Sequence, residues 1–270
     1  MLLRSAQISK PAQGCTRSFA TFRAISALIL REMATRYGRS PGGYVWALLE
    51  PLGSIIALGF GFSLLVRTPP LGTSFLLFFA TGSLPFGMYG NIGSAVGRCI
   101  NFSRALLFYP AVTWLDAVLA RFILGLLTEI LVMAIILAGL VIMADSRTLL
   151  DIGPIVLSVS LAAVLGLGVG LVNCVLFGLF DIWMQIWGIV MRPLMLISGV
   201  LFLYESMPSS IQGILWYNPL MHVTGLMRRG FYSSYEASYV SISYVLMFSM
   251  ICIFLGIVLM GRFHRDILNR

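Results

Sequence analysis

The groups from which chemistry could be built are a few ionisable and aromatic residues set inside long apolar runs. Arg121, Gly125 and Glu129 recur at four-residue spacing and share one face of a helix. Glu50 directly precedes Pro51 in a second apolar run, and Arg192 stands in a third, a turn or so beyond Trp187. A charge at membrane depth is costly, so such groups face a bundle interior or a water-filled path. At 1.5 Å per residue, Arg121 and Glu129 lie about 12 Å apart along a helix axis, too far to pair with each other. Arg121 either snorkels to an interface or finds its own partner, as Glu129 must, with Glu50 and Arg192 the candidates. Glu50, Glu129 and Arg192 could relay protons or ions. Together with Trp183, Trp187 and Tyr204 they could instead line a path for a polar cargo, because rings offer sugars flat faces; interfacial belts and core packing use the same rings.

What is missing narrows the chemistry further. There is no GxxxxGK[ST] phosphate loop, and the lone lysine, Lys10, sits in ISKPAQG without a glycine cradle. HExxH, GxSxG and paired catalytic His and Cys motifs are absent, so the chain is expected to bring no catalytic site of its own. Cys15, Cys99, Cys174 and Cys252 show no CxxC spacing, and no disulfide framework or metal site is expected. Any ATP chemistry must come from another chain.

The elements that carry these residues follow from composition. The 270 residues are 59% hydrophobic and only 10% charged, against about 25% charged in a soluble protein. Several runs reach the roughly 20 residues a helix needs to cross about 30 Å of hydrocarbon. Six spans are expected, at 44–66, 73–95, 117–143, 153–178, 183–204 and 240–260, each bounded by charges, Pro or Gly. With the N-terminus inside, the cytoplasmic segments hold 12 of the 18 Arg and Lys and the opposite side holds four, Arg67, Arg147, Arg228 and Arg229. The asymmetry predicts both termini in the cytoplasm and accounts for the net charge of +8 without nucleic acid. Residues 1–24 lack an apolar core of signal-peptide length, so no cleaved signal is expected.

Local patterns refine the picture. From Phe19 to Tyr37, Phe19, Phe22, Ile29, Leu30, Met33 and Tyr37 fall on one helical face while Arg31, Glu32 and Arg39 point away. The pattern predicts an amphipathic helix lying along the cytoplasmic leaflet, with a soluble helix packed on a partner as the alternative. Gly53, Ala57 and Gly61 in span one, and Ala162, Gly166, Gly170, Cys174 and Gly178 in span four, have the small-residue spacing that lets helices approach closely. Span two, with Gly82, Pro85, Gly87, Gly90 and Gly93, is a candidate for a kinked helix. Residues 205–239 are too apolar for a solvated loop and too interrupted for a span. Pro208 opens one short helix and Asn218 followed by Pro219 opens another, ending near Gly230, both expected to dip into the outer leaflet.

Two stretches resemble a known family. LILREMATRYGRSPGGYVWALLEPL, residues 28–52, is similar to the start of the permease subunits of ABC-type polysaccharide exporters, and PLMLISGVLFLYESMPSSIQGILWYNPLMHVTGLMRRGFY, residues 193–232, is similar to their span five and the short helices after it. The capsular polysaccharide exporters of Gram-negative bacteria are the nearest in character. The resemblance implies an all-α inner-membrane protein: a segment 1–43 with the interface helix, then a six-span permease domain, 44–270, with re-entrant helices between spans five and six. It further implies a homodimer with two copies of a separate ATPase that holds ATP and Mg, a polysaccharide passing between the permeases, and a periplasmic co-polymerase as a further partner. Arg98, Asn101, Ser103, Arg104, Leu106, Leu107 and Phe108 would form the coupling helix docked on the ATPase. Trp216, Asn218, Pro219 and His222 would stand at the outer gate. O-antigen, teichoic-acid and drug permeases are the rivals within the class. Outside it, a secondary transporter would need no ATPase, and a membrane glycosyl- or acyltransferase would need a catalytic His or Asp set that His222 and His264, expected on opposite sides, do not supply.

Overall fold

A computed structural model describes residues 20–37, 43–108, 112–143 and 150–269. Among these the regular structure is entirely helical: α1 (Ala20–Tyr37), α2 (Gly43–Leu65), α3 (Phe75–Gly97), α4 (Cys99–Leu107), α5 (Trp114–Met143), α6 (Ile152–Leu179), α7 (Trp183–Ile197), α8 (Ser209–Leu215), α9 (Pro219–Phe231) and α10 (Ile242–Asn269), with one 3-10 turn at Tyr204–Ser206. Among the described residues, five stretches are long and apolar enough to cross a bilayer: Val45–Leu65, Phe75–Leu107, Trp114–Met143, Ile152–Leu179 and Ile242–Asn269. The second joins α3 and α4 through a turn at Arg98, so the apolar run outlasts the expected span two. α3 stays unbroken through Pro85.

The stretch expected to be span five is shorter than its sequence implied. α7 ends at Ile197 after 15 residues, about 22 Å of helix against about 30 Å of hydrocarbon. Pro193 removes a backbone donor near its end, and Gly199 then takes a φ of +71°, a left-handed conformation that glycine adopts without steric cost. Residues 198–203 are not helical.

α6 stands at the centre and its small residues serve both sides. A Cβ at Gly170 would lie 2.9 Å from the Gly93 carbonyl oxygen of α3, and one at Gly168 would lie 2.8 Å from the Ser249 carbonyl oxygen of α10. Larger residues there would push the neighbouring backbones away, so this stripe is a packing device. The Cys174 sulfur of α6 meets that of Cys99 at 3.5 Å. The stripe of α2 behaves differently: Gly53 and Gly61 have no neighbour within 4 Å, and it is Gly59, beside Leu76, that allows close approach.

α1 packs chiefly on α5. Its inward residues are Leu28 and Glu32, whereas Phe22, Leu30 and Met33 remain exposed. Glu32 therefore points inward, contrary to the helical-wheel expectation, because it meets an opposite charge described below. α8 and α9 begin where Pro208 and Asn218 predict. The Asn218 side chain accepts the backbone N–H of Leu220 at 3.1 Å and Pro219 occupies the first turn.

Candidate functional site

Two polar constellations lie at opposite ends of the bundle. At the end where α1, α4 and the C-terminal part of α10 meet, a cavity of about 430 Å³ opens among α1, α3, α4, α5 and α7. Glu32 Oε1 lies 3.2 Å from Arg121 Nη2, both side chains almost fully buried. Arg121 also donates from Nη1 to the Ala95 carbonyl at 3.0 Å, and its guanidinium stacks 4.2 Å from the Phe102 ring centre. Arg31 approaches the same ring at 5.2 Å, so α4 presents one aromatic ring to two cations on α1 and α5. Asn91 donates to Glu129 Oε1 at 2.9 Å. Arg121 and Glu129 thus have separate partners, as the helix arithmetic required, but these are Glu32 and Asn91; Glu50 and Arg192 are exposed elsewhere.

At the other end, three side chains at the start of and along α9 hold the broken stretch after α7. Asn218 Nδ2 donates to the Ile197 carbonyl and to Ser198 Oγ, each at 3.1 Å. Thr224 Oγ1 donates to the Ser198 carbonyl at 2.9 Å. Arg228, 2% exposed, donates from Nη1 to the Phe202 carbonyl at 2.8 Å and from Nη2 to the Val200 carbonyl at 3.0 Å, with its guanidinium 4.2 Å from the centre of the Phe78 ring. Backbone that leaves a helix inside an apolar layer must find such partners. Burial lowers the Arg228 pKa to about 10, which still leaves the guanidinium charged at neutral pH.

His222, fully buried, takes the Ser241 N–H on Nδ1 at 3.2 Å and meets the Trp216 carbonyl with Nε2 at 2.8 Å. That pairing fixes a neutral ring with its proton on Nε2, and burial pushes its pKa down. Trp216 Nε1 donates to the Tyr239 carbonyl at 3.1 Å. Tyr239 stacks on Tyr204 with ring centres 4.1 Å apart, and Tyr235 donates to Glu205 at 2.9 Å. The outer-gate candidates Trp216, Asn218, Pro219 and His222 are accordingly one cluster.

The six path candidates are dispersed. Trp187 lines a second compartment of about 300 Å³ that shares Asn91, Ser94, Arg98 and Met184 with the first. Trp183 donates to Asn173 Oδ1 at 3.0 Å, Tyr204 sits at the opposite end, and Glu50 and Arg192 are exposed. Of the coupling candidates, Arg98 and Asn101 line the cavity, Ser103 is buried, and Arg104 donates twice to the Leu268 carbonyl, at 2.9 and 3.1 Å. Leu106 and Leu107 are half-buried, and Phe108 is 63% exposed at the tip of α4.

The residues that sequence reasoning missed are Glu32, Asn91 and Arg228. Arg228 enters the sequence reading only as one of the charges on the opposite side, although Leu220, Thr224 and Arg228 recur every four residues and mark one buried face of α9. Asn91 carries no formal charge and stood out from its helix only as a polar residue among glycines.

A bundle whose long apolar helices could each cross a bilayer, with polar groups gathered at both ends, has the build of a multi-pass membrane protein. The profile of the ABC-2 type transporter family matches residues 23–232, and the chain belongs to that family. It is 31% identical to polysialic acid transport protein KpsM of Escherichia coli over 87% of this chain and 91% of that protein. It is 26% identical to capsule polysaccharide export inner-membrane protein CtrC of Neisseria meningitidis serogroup A, and 27% identical to capsule polysaccharide export inner-membrane protein BexB of Haemophilus influenzae, over 91% of this chain and 92% of each relative.

Proposed function

We propose that this chain is the transmembrane subunit of an ATP-driven exporter that moves capsular or related polysaccharide across the inner membrane. The observation that carries the reading is near full-length similarity, across three organisms, to proteins named for capsule polysaccharide export or polysialic acid transport. The absence of a phosphate loop from the sequence fits a subunit that relies on a separate ATPase for ATP and Mg.

The finer architecture follows the same reading. Trp183 is bonded to Asn173 near the end of α6, whereas residues 198–202 are bonded to α9, whose Gly230 carbonyl accepts the N–H of Asp151 just before α6 begins. α7 and its extended continuation therefore return from one end of α6 to the other, which supports a sixth crossing completed by non-helical backbone. α8 and α9 are then re-entrant at the outer face, α1 is an interface helix ahead of a permease domain at 44–270, and both termini are cytoplasmic. No residue of α7 is buried within this chain, and Gly53 and Gly61 of α2 are uncovered; both surfaces suit a second copy in a homodimer, with two ATPase copies below and a periplasmic co-polymerase above.

Deleting the gene in its native cell tests the reading. Surface polysaccharide should disappear and polymer accumulate inside, with recovery on complementation. Undiminished surface polysaccharide in the deletion strain overturns it.

A further inference from the structure

The cavity beside α4 is more than a gap between helices. Asn91, Ser94, Arg98 and Asn101 follow one another at three- and four-residue spacing and put two amides, a hydroxyl and a guanidinium along one wall. Asn91, Arg98 and Asn101 are exposed along this wall and so can receive a polar counterpart. Part of it is internal: Asn91 holds Glu129, and Ser94 holds Arg98, accepting Nη2 on Oγ at 2.7 Å and Nε on its carbonyl at 3.2 Å. These bonds hold the Arg98 guanidinium along its Nε–Nη2 edge, and Arg98 lines both compartments. The lining also contains Arg121 and Glu32, which pair with each other, and Arg98 is its remaining charged residue, with Glu129 behind Asn91 and Arg31 beside Phe102.

The second compartment continues this wall upward along α3 and changes character. Gly87 and Gly90 carry no side chain to fill it, and Trp187, Met184 and Met191 of α7 form its far side. The two compartments, of about 430 and 300 Å³, fall in the size range of small-ligand sites. A fixed cation at one end and an indole at the other suit an acidic sugar: oxyanion on the guanidinium, ring face on the aromatic.

We infer that this bipartite cavity is a binding site for an anionic group of the cargo, a carboxylate or phosphate, with Arg98 and Asn101 as its ligands and Trp187 as the platform for the adjoining sugar. The inference rests on the polysaccharide reading above and adds the place and charge of first contact. The anion has two chemical sources, an acidic sugar or a phosphate of a lipid anchor, and both offer the same oxygen atoms to Arg98.

The test uses the permease purified with its ATPase in nanodiscs of neutral lipid, with binding read from tryptophan fluorescence. The probes are tetragalacturonate, its neutral counterpart maltotetraose, and dihexanoyl phosphatidylglycerol. Native protein should bind at least one anionic probe and discriminate against maltotetraose. Arg98→Gln should weaken that binding by about tenfold or more, the scale of a lost charge-assisted hydrogen bond. Trp187→Phe should remove the fluorescence response while ATPase titration still detects the ligand. Binding of tetragalacturonate alone assigns the site to the glycan and binding of the lipid alone assigns it to the anchor. Equal affinity of native and Arg98→Gln protein for every anionic probe overturns the site. Export that persists in cells carrying Arg98→Gln, with that unchanged affinity, refutes the site but leaves the exporter reading standing. Intact surface polysaccharide in the deletion strain refutes the exporter reading itself.

Discussion

Arg121 of α5 and Glu32 of α1 form a buried ion pair at 3.2 Å, and it joins a helix outside the spans to one inside them. Breaking such a pair costs more than the pair contributes, because the surviving charge is left in a poorly solvated site; losses of about 3–5 kcal/mol are usual. Glu32→Ala should therefore lower the melting temperature of the detergent-purified protein sharply, and Glu32→Gln, which keeps an acceptor, should do so less. The exchanged pair Glu32→Arg with Arg121→Glu should recover part of the loss. A Glu32→Ala protein that melts like the native one would show that α1 is held by other contacts.

Arg228 makes a similar point at the other end. Its fork reaches the Val200 and Phe202 carbonyls together, a geometry that the single point charge of lysine does not reproduce. Arg228→Leu leaves two carbonyls unsatisfied at about 1–3 kcal/mol each, and Arg228→Lys should cost less. Limited proteolysis in detergent should cut within 198–206 fastest in the leucine variant. Identical cleavage of all three proteins would refute the clamp.

Much of this fold was legible because span-length apolar runs and helix-opening prolines are local signals. Pro208 and Asn218–Pro219 fixed the starts of α8 and α9 without reference to anything distant. Partnership was not legible. Glu32 falls on the polar side of α1 by periodicity, and only the position of Arg121, 89 residues away in the chain, turns it inward. The early end of α7 was visible in principle, since Ser198–Gly199 follows Pro193, but its hydropathy continues through Val200, Leu201 and Phe202 and concealed the break.

The proposed crossing by α7 and its non-helical continuation predicts sidedness. Reporter fusions after Arg147 and Ser234 should read periplasmic, and those after Arg104 and at Arg270 cytoplasmic, in line with the charge asymmetry. A cytoplasmic reading at Ser234 would mean that α7 does not cross.

His222 predicts a pH dependence. Its folded pKa lies below the ordinary value because burial disfavours the imidazolium, and a proton on Nδ1 would oppose the Ser241 N–H. Below about pH 6.5 the unfolded chain binds a proton that the folded chain refuses, so the contribution of this group is full above that pH and declines as pH falls toward the folded pKa. Melting of the native protein should drop between about pH 7.5 and 5.5 by more than that of His222→Gln. Equal drops would assign the pH dependence to other groups.

The tip of α4 gives the most direct test of coupling to an ATPase. Leu107 packs against the core, so Leu107→Asp would disturb folding as well as docking. Phe108 is 63% exposed at the same tip and carries no such burden. If the tip docks in a groove of the ATPase, Phe108→Asp places an unpaired charge in that apolar contact and should abolish co-purification and transport. Its melting temperature should stay near the native value. Arg104, bonded to the Leu268 carbonyl of α10 and unaltered in this variant, is expected to hold α4 in place, so an unchanged melting temperature separates lost coupling from a detached helix. Wild-type ATPase retention and export by Phe108→Asp would remove the tip of α4 from the docking surface.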